Sequence, residues 1–347
     1  MERYLVTGAA GNLGSHIVNV LTRQKKQVRA LVLRGDPAQK HLPKSVEIAY
    51  GDVTQPDTLA PFFEADESDE LIVIHAAGIV TIYPEYSERV WNVNVGGTRN
   101  IVELCVKRKV KKLVYVSSVH AIVPLPDGET MSEPTSFEPD RIEGFYGKTK
   151  AEAAKLVAQA VERDGLNASI VFPSGLCGPG DYSIGHVTRL VLDSLRGRLP
   201  AGVKGAYDFS DVRDVAEGIV TAAQVGGKGQ NYILGNRRIT VKEVLDSAHQ
   251  RTGCKPVKVM LPLWLAKLGA PFCEAYYRIK KRTPLFTRYA LSTLGSNANF
   301  TSAKAVRELG YKPRPFADTV ADTAKWLVSE KLVAPVKRRF SRHSSRK

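Results

Sequence analysis

Tyr146 and Lys150 stand four residues apart where an apolar-periodic stretch begins, Phe145-Tyr146-Gly147-Lys148-Thr149-Lys150, continued by Ala151, Ala154, Leu156, Val157, Ala160 and Val161. Helical spacing puts both side chains on one face. A tyrosine hydroxyl titrates near ~10 in water, so it serves as acid and base near neutrality only where its phenolate is favoured. A neighbouring ammonium favours it by charge. Ser118 closes the apolar run Leu113-Val114-Tyr115-Val116 and offers a hydroxyl to an oxygen on which charge develops. Together the three read as a proton-transfer set: Tyr146 gives or takes the proton, Lys150 lowers its pKa, and Ser118 steadies the substrate oxygen. The same Tyr-x-x-x-Lys spacing recurs at Tyr276/Lys280 and Tyr277/Lys281. Those copies follow all the strands in a basic segment, and a solvated helix face explains them.

The elements around this set supply its partner. Tyr4-Leu5-Val6 reads as a buried strand, and Leu13, Ile17, Val18, Val20 and Leu21 as an amphipathic helix. Between them lie Gly8, Gly11 and Gly14, with Asn12 and Leu13 opening the helix. A glycine-rich turn from strand to helix presents unhindered amides at a helix N-terminus, a site for a pyrophosphate. Gly8 permits the tight turn, Gly11 the approach of phosphate, and Gly14 close packing of helix on strand. The spacing predicts dinucleotide binding.

Further strands follow at Gln27–Leu33, Val46–Tyr50, Leu71–Ile74, Leu113–Val116, Ser169–Phe172 and Asn231–Leu234, with helical patterns between them. One such pattern carries Val90, Val93, Val95, Ile101, Val102 and Leu104 and ends in the run from Lys107 to Lys112, a solvated helix end. Alternation of this kind predicts an α/β fold, a Rossmann-type doubly wound parallel sheet. A smaller, mostly helical substrate domain, with one short strand at Lys255–Met260, completes it. The expected boundaries are 1–182 and 205–235 for the dinucleotide domain, 183–204 and 236–330 for the substrate domain, and 331–347 for a disordered tail. No acid stands about 20 residues after the glycines, where one would take ribose hydroxyls. Arg34 stands near instead and suits a 2′-phosphate, which favours NADP, while Asp36 keeps NAD open. Asp52 either accepts from an adenine amino group or caps the helix after Pro56. Ala76-Ala77-Gly78 are small enough for a cofactor to lie across the strand ends, and His75 reads as a packed core histidine.

Composition narrows the classes. The 347 residues carry 50 Lys/Arg against 35 Asp/Glu, a net charge of +15. Seven of those cations lie in the tail from Lys331, and without them the charge is +8. The tail is expected to be solvated, with an anchor for anionic lipid or nucleic acid as the alternative, and no nucleic-acid partner is expected for the chain. No apolar run is long enough to span a bilayer. The segment Leu261–Leu268, followed by Pro271-Phe272 and the basic Arg278, Lys280, Lys281 and Arg282, reads as small-domain core, an apolar pocket wall or a peripheral membrane contact. Cys105, Cys177, Cys254 and Cys273 are scattered, so neither zinc nor a disulfide is suggested. Motif-bearing sequence begins close to Met1, which leaves no room for a leader and leads to a cytoplasmic expectation.

These residues carry a resemblance. Over residues 1–330 the chain resembles an extended short-chain dehydrogenase/reductase, at Thr7–Gly14, Asp52, Ala76–Gly78, Asn94-Val95-Gly96-Gly97-Thr98, Ser117-Ser118, Tyr146–Lys150 and Pro173–Gly180. The resemblance implies that Asp52 and Val53 contact adenine, that Asn94 holds the active-site region, that Pro173 borders the nicotinamide, and that Ser118 is the catalytic serine of the pair. It also implies that Lys150 holds the nicotinamide ribose, and it suggests a homodimer. Val119-His120-Ala121 stands where nucleotide-sugar dehydratases carry Thr-Asp-Glu. Tyr207 stands where sugar-nucleotide epimerases carry a diphosphate-clamping Arg. The run Asp208-Phe209-Ser210-Asp211-Val212-Arg213-Asp214-Val215 is similar to the dihydroflavonol reductase and 3β-hydroxysteroid dehydrogenase-like branch. Phe172 and Cys177 depart from an Arg and a Tyr common among relatives. The expected function is an NAD(P)-dependent oxidoreductase interconverting a secondary alcohol and a ketone on a small apolar substrate. The alternatives are an NAD-dependent sugar epimerase and a non-catalytic nucleotide sensor.

Overall fold

The computed structural model describes residues 1–270 and 288–334. The second and third Tyr/Lys pairs, Cys273, the basic run at 278–282 and residues 335–347 of the tail lie outside the described residues. In chain order the strands are β1 (Glu2–Thr7), β2 (Gln27–Val32), β3 (Glu47–Tyr50), β4 (Glu70–His75), β5 (Lys112–Val116), β6 (Ala168–Pro173), β7 (Gly175–Cys177), β8 (Gly202–Val203), β9 (Ala206–Asp211), β10 (Asn231–Leu234), β11 (Arg238–Thr240) and β12 (Met260–Leu261). The helices used below are α1 (Asn12–Arg23), α2 (Glu88–Trp91), α3 (Gly97–Lys107), α4 (Phe145–Arg163), α5 (His186–Leu195), α6 (Val212–Val225) and α7 (Val241–Thr252).

Two compact units divide the chain. Unit 1 comprises Met1–Leu176, Asp208–Arg238 and Ser296–Pro313. Unit 2 comprises the described parts of Cys177–Tyr207, Ile239–Gly295 and Arg314–Lys347. The segment Ser296–Pro313 thus belongs with the large sheet, whereas sequence reading assigns 236–330 as one block.

Unit 1 holds a seven-stranded sheet in the order β10-β6-β5-β4-β1-β2-β3, and its pairings are parallel. This is the doubly wound sheet that the alternation predicts. Strand order reverses between β1 and β4, the place where such sheets bind ligands beyond their carboxyl ends. Register sets Thr7 beside His75, and His75 beside Tyr115, in one row across three strands. The central strands are apolar runs because both faces are covered. Val6, Ile74, Val114 and Val171 are buried against Val18 and Leu21 of α1 and Val215, Ile219 and Ala223 of α6.

Four expectations change here. Between β2 and β4 the connections are 3₁₀ turns, Pro37–His41, Pro56–Leu59 and Pro61–Phe63, rather than α-helices. Proline opens each turn at its first position, and Pro43 and Pro61, just past the first two turns, keep those two from lengthening into α-helices. Buried Arg29 of β2 donates to the carbonyls of Pro61 and Phe62, both at 3.1 Å, and to that of Glu64, and so ties these turns to the sheet. The apolar helix through Val90–Leu104 is α2 and α3 joined by a π turn at Asn92–Gly96. The run from Lys107 to Lys112 is only partly a solvated helix end. Lys111 pairs with Glu2 and Glu70, and Lys112 begins β5 with its Nζ buried on the Gly226 carbonyl at 2.7 Å. Burial pushes the Lys112 ammonium down to about 8. The strand expected at Lys255–Met260 is confined to Met260–Leu261, which pairs with β8.

Within unit 2, α5, α7 and the helix Phe316–Ser329 pack on one another. A capping box between Thr240 and Glu243 starts α7, and left-handed Gly253 ends it. Among the described residues, no helix is long and apolar enough to cross a membrane.

Candidate active site

The glycine loop sits at the strand-order reversal. Gly8 has φ +64°, and a Cβ there would lie 2.7 Å from the Ala77 amide and 2.8 Å from the Ala76 carbonyl. A Cβ on Gly14 would lie 2.0 Å from the Gly8 carbonyl oxygen. These two glycines therefore permit the turn and the helix–strand approach assigned to them. Gly11 precedes α1 in extended conformation, and no side chain caps the helix. The first turn carries no acid of its own to compete for its amides. Leu13 packs partly against the core. The Asn12 Oδ1 is buried and has no hydrogen-bond partner among the described residues. An orphaned acceptor beside open helix-start amides fits a bound dinucleotide, whose hydroxyls would satisfy it.

The remaining cofactor candidates fall on neighbouring strand ends of unit 1. Arg34 follows β2, exposed, with its guanidinium 5.2 Å from the Tyr50 ring centre at the end of β3. Among the described residues it pairs with no carboxylate. Asp36 caps the turn Pro37–His41 by accepting from the Ala38 amide at 2.9 Å. Asp52 does not cap the turn after Pro56, whose cap position is Gln55. Its Oδ1 instead accepts from the Thr54 amide and hydroxyl, both at 2.8 Å. Val53 is buried under α3, where Gly97 leaves no room for a Cβ, which would lie 2.6 Å from the Val53 side chain. Pro173 ends β6 beside Leu234 of β10.

A chain of hydrogen bonds lines the floor. The Ala77 amide donates to the Thr7 hydroxyl at 3.1 Å, and Thr7 and His75 Nδ1 are 2.7 Å apart. His75 Nε2 lies 3.0 Å from the Thr98 hydroxyl, which donates to the Asn94 carbonyl at 2.6 Å. Since Thr98 gives its proton to a carbonyl, His75 must donate through Nε2 and accept at Nδ1. This is a neutral, satisfied core histidine, and burial followed by the charge of Lys150 pushes its pKa down to about 3. Asn94, raised on the π turn, accepts from the Ile79 amide at 2.8 Å and donates to Thr149 at 3.0 Å. It thus ties the segment after Gly78 to α4. π turns of this kind recur at functional sites because they re-aim one side chain.

Lys150 is buried under the same row. Its Nζ donates to the Val116 carbonyl at 2.8 Å and lies 5.1 Å from the centre of the Tyr115 ring. His75 stacks on Tyr115 at 5.7 Å. A Cβ on Gly78 would sit 3.2 Å from both Lys150 Nζ and Asn94 Oδ1. Burial pushes the ammonium down to about 8, so it is still charged at neutral pH, while burial pushes the Tyr115 phenol up.

Ser118 opens the turn Val119–Ala121, where its hydroxyl accepts from the His120 amide at 3.3 Å. The His120 ring meets the Tyr146 ring edge to face at 5.9 Å, and burial pushes that imidazole down to about 4. Gly147 brings α4 against this turn: a Cβ there would lie 2.6 Å from the His120 carbonyl oxygen. Ser118 from the turn after β5 and Tyr146 and Lys150 from α4 therefore abut around His120 and Tyr115, and each is at most 8% exposed. The structure brings Asn94 and Gly78 to the same group. Sequence reading gave no role of their own to Thr7, Thr98, Tyr115 and Gly147. A glycine inside a helix start, costly by about 1 kcal/mol against alanine, was the one available signal.

Other motif residues make contacts within the fold. Asp211 caps α6 through the Arg213 amide and holds the Arg213 guanidinium at 2.7 and 2.9 Å. Phe172 is fully buried and stacks on Phe137 at 6.1 Å. Cys177 is buried 3.8 Å from the Thr323 hydroxyl.

Sheet order, glycine loop and the Ser/Tyr/Lys group define a short-chain dehydrogenase/reductase of the extended type. The chain belongs to the NAD dependent epimerase/dehydratase family, whose profile matches residues 4–235. It is 30% identical over 329 residues to sterol demethylase protein B of Methylococcus capsulatus, covering 93% of this chain and 97% of that protein. It is 29% identical to a putative dihydroflavonol 4-reductase of Synechocystis, covering 93% of this chain and 94% of that one. The crystal structure of gox2253 superimposes with a TM-score of 0.81 at 32% identity, over 95% of this chain and 99% of the other.

Proposed function

We propose that the protein is an NADP(H)-dependent oxidoreductase that interconverts a secondary alcohol and a ketone on a small, apolar molecule. The observation that carries the reading is the buried Lys150 ammonium, held at the Val116 carbonyl one helical turn from Tyr146. A cation there lowers the cost of a phenolate on Tyr146. A bound dihydronicotinamide supplies the hydride that reaches the carbonyl carbon. In that direction the Tyr146 hydroxyl gives its proton to the substrate oxygen, Ser118 donates a hydrogen bond to it, and oxidation runs the same steps backwards. The exposed Arg34 guanidinium supports NADP, since no carboxylate among the described residues pairs with it and it matches a 2′-phosphate. Relatives named for sterols and dihydroflavonols support an apolar substrate.

The test is a screen of 3β-hydroxysteroids, flavanonols, small alcohols and nucleotide sugars, following nicotinamide absorbance and product identity together. Net cofactor turnover with an apolar alcohol or ketone is the expected result. Tyr146→Phe then loses turnover while its cofactor affinity stays within a few fold. A product isomer formed without net cofactor change, or near-normal turnover by Tyr146→Phe, overturns the reading.

A further inference from the structure

We propose that residues 255–268 of unit 2 form a docking surface for an anionic lipid bilayer. Four large apolar side chains stand out of the protein within ten residues: Val259 is 52% exposed, Trp264 65%, Leu265 42% and Leu268 64%. Scattered exposed apolar residues are ordinary, and a contiguous group is not. Positions 264, 265 and 268 share one side of the helical turns at 263–270. Leu263 faces inward, within 3.1 Å of where a Gly295 Cβ would lie, and Ala270 is buried. The segment is thus amphipathic, with its apolar side outward.

Charge selects the occupant. Lys255, Lys258 and Lys267 are exposed among these apolar side chains. Between Asp246 and Glu274 the sequence has Arg251 and these three lysines and no carboxylate. A second copy of the chain would set this cationic patch against itself. A nucleic acid would neutralise the lysines and leave Trp264 and Leu268 in water. A leaflet with anionic headgroups meets both demands: the acyl boundary buries the tryptophan and leucines while lysine stems reach back to phosphates. The segment is too short to cross, so it lies in the interface plane. This surface is independent of the substrate assignment.

The experiment is co-sedimentation of the full chain with vesicles of phosphatidylcholine, with and without phosphatidylglycerol, at rising salt. Binding to the phosphatidylglycerol vesicles, weakening with salt and accompanied by a blue shift of Trp264 fluorescence, is the expected result. The Trp264→Ser/Leu268→Ser variant binds them more weakly by on the order of tenfold or more. Its thermal midpoint and NADP affinity stay unchanged, since both side chains are exposed. Absence of vesicle binding overturns the proposal. So does equal binding by the double variant, which would assign the contact to the basic tail. A wild-type dimer that the double variant splits in solution also overturns it.

Discussion

Burial moves the Lys150 ammonium from an ordinary 10.5 to about 8, and the sign of that shift makes a prediction. The unfolded chain binds the proton more readily, so between pH 8 and 10.5 it holds more protons than the folded chain. The group therefore opposes folding below pH 8, and the opposition is relieved as pH rises to 10.5. Lys150→Met removes this titration. Thermal midpoints recorded side by side should show the wild type gaining on the variant across that window, and parallel curves would contradict the buried-cation geometry. Turnover of the variant should fall by on the order of a hundredfold or more, because Tyr146 loses its cation. Arg34 makes a second prediction at this scale. It stacks on Tyr50 with no carboxylate partner among the described residues. Arg34→Ala should weaken NADP binding by roughly tenfold to a hundredfold, the worth of a charge-assisted contact of about 1.5–3 kcal/mol. Calorimetry should find NAD binding unchanged.

Elements set where these side chains stand. α4 reaches the turn after Ser118 only because residue 147 has no Cβ. Gly147→Ala should push helix and turn apart, destabilise the protein by about 1–3 kcal/mol, and lower kcat more than cofactor affinity. Equal losses in kcat and affinity would mean that the glycine serves the whole sheet edge instead. The glycine loop and the strands β1, β4, β5 and β6 were legible in the sequence, since strands covered on both faces read as unbroken apolar runs. The π turn was not legible: Val90 and Val93 keep an ordinary helical spacing, and the extra residue shows in the backbone, where the Gly97 amide donates to the Asn92 carbonyl. Lys112 was misread because its partners, Gly226 and Gly227, lie more than a hundred residues away. The 3₁₀ turns left one trace, a charged Arg29 inside an otherwise apolar strand.

At the scale of the whole molecule, unit 1 is completed by a late segment. The Met131 amide donates to the Asn299 carbonyl and the Thr301 amide to the Met131 carbonyl, at 2.8 and 2.9 Å. Ser302 accepts from the Gly235 amide at 2.9 Å. Tyr311 is buried near α6, where Gly218 leaves it room. A chain ending at Gly295 keeps Ser118, Tyr146 and Lys150, yet it should show no cooperative thermal transition and no stabilisation by NADP. A normal NADP-induced shift in its melting temperature would refute that dependence. The same stitching orders events in time. A ribosome adding roughly 5–20 residues per second needs roughly 15–60 s to reach Pro313. Through that interval β1, made first and placed in the middle of the sheet, waits in an unfinished unit. Folding of unit 1 is therefore tied to the synthesis of Ser296–Pro313, and the nascent chain depends on whatever shelters its apolar strands until then.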